Sequence, residues 1–192
     1  MAEVRSVSRG EAIDRAVVPG VLAGFVAAAV MGLFAAIAAV AWRHLAVSAP
    51  LREIAVLATP DLVAGQAGEV PREPLVFAGA VHLGVGGFFG AVFGIIARGA
   101  RLRGRVAVLA GALYGLVVMA LMSLVVLPVL GGLSGAGAPI SDLPGRVGWA
   151  TFAAAHVLFG LVLGLWVLVR PWDVDPSLTP PRTGEGGDIT TT

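Results

Sequence analysis

Four stretches of this chain run apolar for about twenty residues or more: roughly 17–42, 75–97, 106–130 and 149–169. None contains Asp, Glu, Arg, Asn or Gln. An α-helix needs about 20 residues to cross a ~30 Å hydrocarbon core, so each stretch reads as a membrane span. The segments between them are short and rich in Pro, Gly and Arg. The pattern predicts an all-α, four-transmembrane-helix bundle with little sequence left for a soluble domain.

The flanking segments refine this division. Residues 1–16 are polar and mixed in charge, and Pro19 stands where a first helical turn tolerates a missing N–H. The first apolar run exceeds the ~7–15 residues of a signal-peptide core, and Pro50 follows its candidate cleavage site, so a retained helix is expected. Residues 43–74 form the longest connection. Within them LREIAVLA (51–58) places Leu51, Ile54, Ala55 and Ala58 on one face, as in a short helix lying on the membrane surface. GGLSGAGAPISDLPGR (131–146) reads as a glycine- and proline-rich loop. The segment 171–192 has the composition of a disordered tail.

Charge placement sets an expected orientation. All 13 basic residues are arginine. Nine lie in residues 1–16, the connection 98–105 and the C-terminal segment from Arg170 onward, and four (Arg43, Arg52, Arg72 and Arg146) lie on the opposite side. The positive-inside rule then makes both termini and the short basic connection cytoplasmic. The absence of lysine and asparagine, with abundant Ala, Gly, Val and Leu, points to a GC-rich bacterial source and so to the bacterial inner membrane. Cysteine is absent, which excludes disulfide and thiolate chemistry. No arginine cluster is interleaved with aromatics, so nucleic acid is not an expected partner.

A pattern also recurs along the chain. His82, Gly86 and Gly90 in the second span match His156, Gly160 and Gly164 in the fourth. Gly20 and Gly24 in the first span match Gly111 and Gly115 in the third, each pair followed seven residues later by Met31 or Met122. Two similar helical hairpins, related as a parallel internal repeat, are the expected architecture. Counting from Leu75 and Trp149, both histidines fall seven residues inside the span, so the two imidazoles are expected at one depth. In lipid, helices associate through close backbone approach at small residues, which makes these eight glycines, with Gly94, the expected packing positions.

An ionisable group inside a membrane is a functional candidate by default. For His82 and His156 two readings stand. A neutral imidazole can fasten one helix to another through a carbonyl or hydroxyl, and that reading is preferred. The alternative is a haem-b electron-transfer subunit with these histidines as axial ligands, Met31 and Met122 being substitutes. No arginine lies within the spans to meet haem propionates, although Arg72 and Arg146 border one side. A small-solute channel or transporter is a weaker reading, since Tyr114, Ser123 and Thr151 are too sparse to line a polar path. No catalytic constellation or metal-ligand spacing is evident: Asp61, Glu69, Glu73, Asp142 and His44 read as a solvated rim.

The segment AGFVAAAVM in the first span, the two H-x3-G-x3-G patterns and GALYGLVVMALMSLVVLPVLGG in the third together resemble small bacterial four-span membrane proteins of the YagU-like type. The likeness covers roughly residues 17–169. It implies a four-helix inner-membrane bundle without an established activity. A non-catalytic structural, assembly or accessory role in a membrane complex is therefore expected, with the lipid bilayer and other membrane subunits, or further copies of the chain, as partners.

Overall fold

A computed structural model describes residues 9–55, 57 and 72–170. It contains helices α1 (Arg9–Arg43), α2 (Ala49–Ala55), α3 (Arg72–Gly99), α4 (Gly104–Leu121), α5 (Leu127–Leu133), α6 (Ala138–Ser141), α7 (Leu143–Val147) and α8 (Trp149–Val169), with a π-helical segment, Met122–Val126, joining α4 to α5. No strand occurs among the described residues. Four helical spans are long and apolar enough to cross a membrane: Ala16–Arg43, Glu73–Gly99, Gly104–Leu133 and Trp149–Val169. The chain is a multi-pass integral membrane protein by this measure, and many of its large apolar side chains face outward, including Leu109, Leu113 and Leu124 of the third span. That is the distribution a lipid solvent permits.

Within this frame α1 packs on α3, α4 on α8, and α1 on α8 between the two pairs. Alanine makes the close approach possible. Ala23, Ala27 and Ala28 of α1 are buried against Phe89 and Phe93 of α3 and Phe159 and Leu163 of α8. Along α8 the buried residues Phe152, Ala155, His156, Phe159, Gly160, Leu163, Gly164 and Val167 recur at helical three- and four-residue steps, so one continuous face is covered. One polar bond ties α4 to α3: the Tyr114 hydroxyl donates to the Phe89 carbonyl at 2.7 Å.

The glycines sit where the helix axes come closest. A methyl group added at Gly20 would lie 2.7 Å from the Gly90 carbonyl oxygen, and one at Gly94 would lie 2.7 Å from that of Ala16. In the second pair a methyl at Gly111 would collide with the Gly160 carbonyl, and one at Gly115 with the His156 carbonyl. All eight packing glycines named from the sequence lie in these two seams. The registers of the two seams nevertheless differ from the sequence match. Gly24 faces the Gly86 carbonyl, whereas its counterpart Gly115 faces the carbonyl of His156. Gly90 meets Gly20 and Gly24 as Gly160 meets Gly111 and Gly115. Aligned by contacts, His156 therefore corresponds to Gly86, one turn further along than His82.

Three stretches differ from the sequence expectation. Helix α1 starts at Arg9, so Pro19 lies inside it instead of in its first turn. Residues 9–16 (RGEAIDRA) contain good helix formers, and the proline removes only one hydrogen bond from a long helix. The presumed loop 131–146 is largely helical. The third span continues to Leu133, and α6 and α7 follow, each with a proline in its first turn, where the missing N–H has no intrahelical partner to lose. The π segment has a local cause in Pro128. Its ring crowds the Leu124 carbonyl and it offers no N–H, and the backbone widens so that the Leu127 N–H bonds the Met122 carbonyl five residues back.

The short helices close one end of the bundle. Ile140 of α6 is 1% exposed and packs with Leu127, Ala136 and Phe152. Helix α2 (Ala49–Ala55) overlaps the surface helix expected at 51–58 but starts two residues earlier, with Leu51 and Ile54 turned toward the bundle, while Ala58 lies outside the described residues. It is held to α7 by Arg146, which donates from its guanidinium to both Glu53 carboxylate oxygens at 2.9 and 3.0 Å. The Glu53 hydrogen bond, helped by its charge, raises the Arg146 pKa above the ordinary arginine value. While Glu53 is ionised, the stabilisation this contributes is fully present below the unfolded arginine value and is lost as pH rises through the higher folded one. Arg146 is thus a clamp between two covering helices and not a free rim charge. Residues 171–192, expected as a tail, and Asp61 and Glu69 lie outside the described residues.

Candidate functional site

The two glycine seams draw the helices together over one half of the bundle, around Gly20, Gly94, Gly111 and Gly164. In the other half no glycine pairing holds α1 and α3 against α8 and the π segment, and a cavity of about 290 Å³ lies between them. Its walls come from Ala28 to Ala36 of α1, Val81 to Phe89 of α3, Met122 and Val126 of the π segment, and Thr151 to Phe159 of α8. Leu51 and Ile54 of α2, Ile140 of α6 and Leu143 of α7 cover its end. The widened backbone at Met122–Val126 turns Met122 and Val126 into this space, a use of π geometry common where helices build a site.

Both membrane histidines reach the cavity wall. His82 Nε2 donates to the Ala28 carbonyl of α1 at 2.9 Å, so this imidazole fastens α3 to α1. The ring lies beside Gly32, where an added methyl would stand 3.4 Å from Nε2, an ordinary contact distance. His156 is 4% exposed and its Nδ1 donates to the Phe152 carbonyl, one turn back on α8, at 2.8 Å. The Phe152 ring lies against the imidazole with centroids 4.4 Å apart. His156 therefore bonds its own helix and fastens nothing across the bundle, unlike the paired role expected for it.

A carbonyl only accepts, so these contacts fix which ring nitrogens carry hydrogen. In the neutral rings His82 Nδ1 and His156 Nε2 are left as acceptors, and neither has a hydrogen-bond partner among the described residues. Thr151 adds a hydroxyl to the wall, and the rest of it is apolar. No Asp, Glu or Arg lines the cavity, and no group of three or more His, Asp or Glu among the described residues stands together as metal ligands.

The arrangement does not fit a bis-histidine haem. An axial histidine binds iron through an unprotonated ring nitrogen, ordinarily the outer Nε2. His156 has that nitrogen free, but His82 has committed Nε2 to Ala28 and would present Nδ1, which is shielded by its own Cβ and backbone. Of the two arginines that border this side, Arg146 is engaged with Glu53. Met31 and Met122 both line the cavity, where they serve as flexible apolar wall.

No family model, curated protein or solved structure matches this chain.

The signal that sequence reasoning missed is Pro128, which announces the altered backbone beside the cavity. The cavity itself arises from how α1 and α8 meet, and no spacing within a single helix reports that.

Proposed function

We propose that this chain is a non-catalytic integral membrane protein of the bacterial inner membrane, with both termini cytoplasmic, acting as a structural or accessory component of a membrane complex. The observation that carries this reading is the uneven covering of its spans. The apolar window of α8 is 44% buried within the chain, whereas that of the third span, Gly104–Leu133, is only 17% buried. Leu109, Leu113 and Leu124 are 71, 64 and 74% exposed and leave a long apolar flank on that span. Such a flank suits a neighbouring span, whether from another subunit or a second copy, packed by van der Waals contact. The absence of carboxylates, Asn and Gln from the apolar stretches 17–42, 75–97, 106–130 and 149–169 supports a role without ion coupling. Similarity to the YagU-like four-span proteins, proposed from the sequence patterns, would agree with this role.

A photoreactive amino acid at Leu113 tests the reading in native membranes. A discrete protein adduct, to a second copy or to another membrane subunit, is expected. Adducts to lipid alone would contradict an accessory role.

Haem binding is tested separately by the visible spectrum of the purified protein. No Soret band is expected. A band present in the wild type and lost in both His82→Ala and His156→Ala would establish the electron-transfer alternative against the geometry.

A further inference from the structure

The cavity between α1, α3, α8 and the π segment has a chemical signature that a packing defect lacks. An empty void in a protein interior is normally apolar throughout. This one has two imidazoles in its wall, each fixed by a carbonyl so that its lone-pair nitrogen is left over. His156 is buried and its Nε2 has no partner among the described residues. An acceptor nitrogen that faces an apolar cavity with no donor opposite it favours a guest that donates a hydrogen bond.

We infer that the cavity is a binding site for a neutral, lipophilic alcohol or phenol, whose hydroxyl donates to a free histidine nitrogen while its apolar body fills the space. Each part of this assignment follows from the lining. Charge is disfavoured because no Arg, Asp or Glu among the described residues lines the cavity to pair it. A guest with only acceptors would face the two lone pairs without a donor. The apolar body matches walls made by Met31, Val85, Phe89, Met122, Val126 and Phe159. At about 290 Å³ the space lies near the lower limit of small-molecule sites, which suits a one- or two-ring head and not a whole phospholipid. Delivery from the bilayer is natural for such a compound. The assignment stands whether or not the chain has protein partners.

The test uses the full chain in phosphatidylethanolamine–phosphatidylglycerol nanodiscs, with empty nanodiscs subtracted. The probes are 1-naphthol and 1-methoxynaphthalene, which share a ring system and differ in the hydroxyl donor. Saturable naphthol binding about tenfold tighter than that of the methyl ether is expected, the yield of one well-formed hydrogen bond. Ala36→Phe, which places a ring in the cavity, should abolish it. ¹⁵N-histidine spectra of the wild type should show the acceptor nitrogen of His156 or His82 shifting with naphthol, a readout that requires no variant to fold. Equal partitioning of the two probes, naphthol binding that survives Ala36→Phe, or unmoved histidine resonances would each overturn the assignment.

Discussion

Replacing Gly160 with alanine should destabilise the protein by about 2–3 kcal/mol, a large effect for a single methyl group and at the upper end of overpacking costs. The added carbon would collide with the Gly111 carbonyl and would lie 2.9 Å from the Gly115 nitrogen. Both obstacles are backbone, which cannot rotate aside as a side chain would. Helices α4 and α8 must therefore separate along the whole seam, losing the contacts at Gly115 and Gly164 as well. Gly84→Ala makes the same chemical change where nothing stands within 4 Å. It should be neutral or stabilising by up to ~1 kcal/mol, from helix propensity alone. Reversible unfolding of the two variants in one detergent system separates them. Equal stability of the pair would show that the seam is not where the helices are held.

Ile140→Ala should cost about 2–4 kcal/mol, the range of large-to-small changes at sites that relax only in part. Ile140 is almost fully buried between Leu127 and Phe152, and it is the anchor of the four-residue helix α6. So short a helix has no stability of its own, so loss of its anchor should release α6 locally as well as lower global stability. Hydrogen exchange should accelerate at Asp142, whose N–H bonds the Ala138 carbonyl at 2.9 Å, more than within α8. The same truncation removes part of the cavity's cover. Unchanged stability and exchange would mean that α6 is a surface loop, as its glycine- and proline-rich sequence first suggests.

The contrast between these two sites shows what the sequence discloses. Spans and glycine seams are legible because both are local: twenty apolar residues and small residues at four-residue steps are properties of one helix. In the structure Gly20, Gly24, Gly86, Gly90, Gly111, Gly115, Gly160 and Gly164 each stand against the backbone or side chain of a neighbouring helix. Register is not local. The match of His82 to His156 along the sequence and the match of Gly86 to His156 in space differ by one helical turn, because a four-residue glycine stripe offers more than one register. Prolines misled for a related reason. Pro19 reads as a first-turn residue and Pro139 and Pro144 as part of a loop, yet a long helix absorbs the first and short helices start with the other two. The two histidines were legible as candidates. Their different tasks, one across helices and one within α8, depend on which carbonyl each ring reaches.

The central claim is that the chain crosses the membrane four times as a bundle, with the basic α3–α4 turn on one side and the α6–α7 cover on the other. Because the chain lacks cysteine, single cysteines can be introduced at Ala100 and Ser134 and labelled with a membrane-impermeant maleimide from either side. Position 100 should react only from the cytoplasmic face and position 134 only from the opposite face. Reaction of both from the same face would contradict the membrane-spanning third helix, and with it the bundle that holds the cavity.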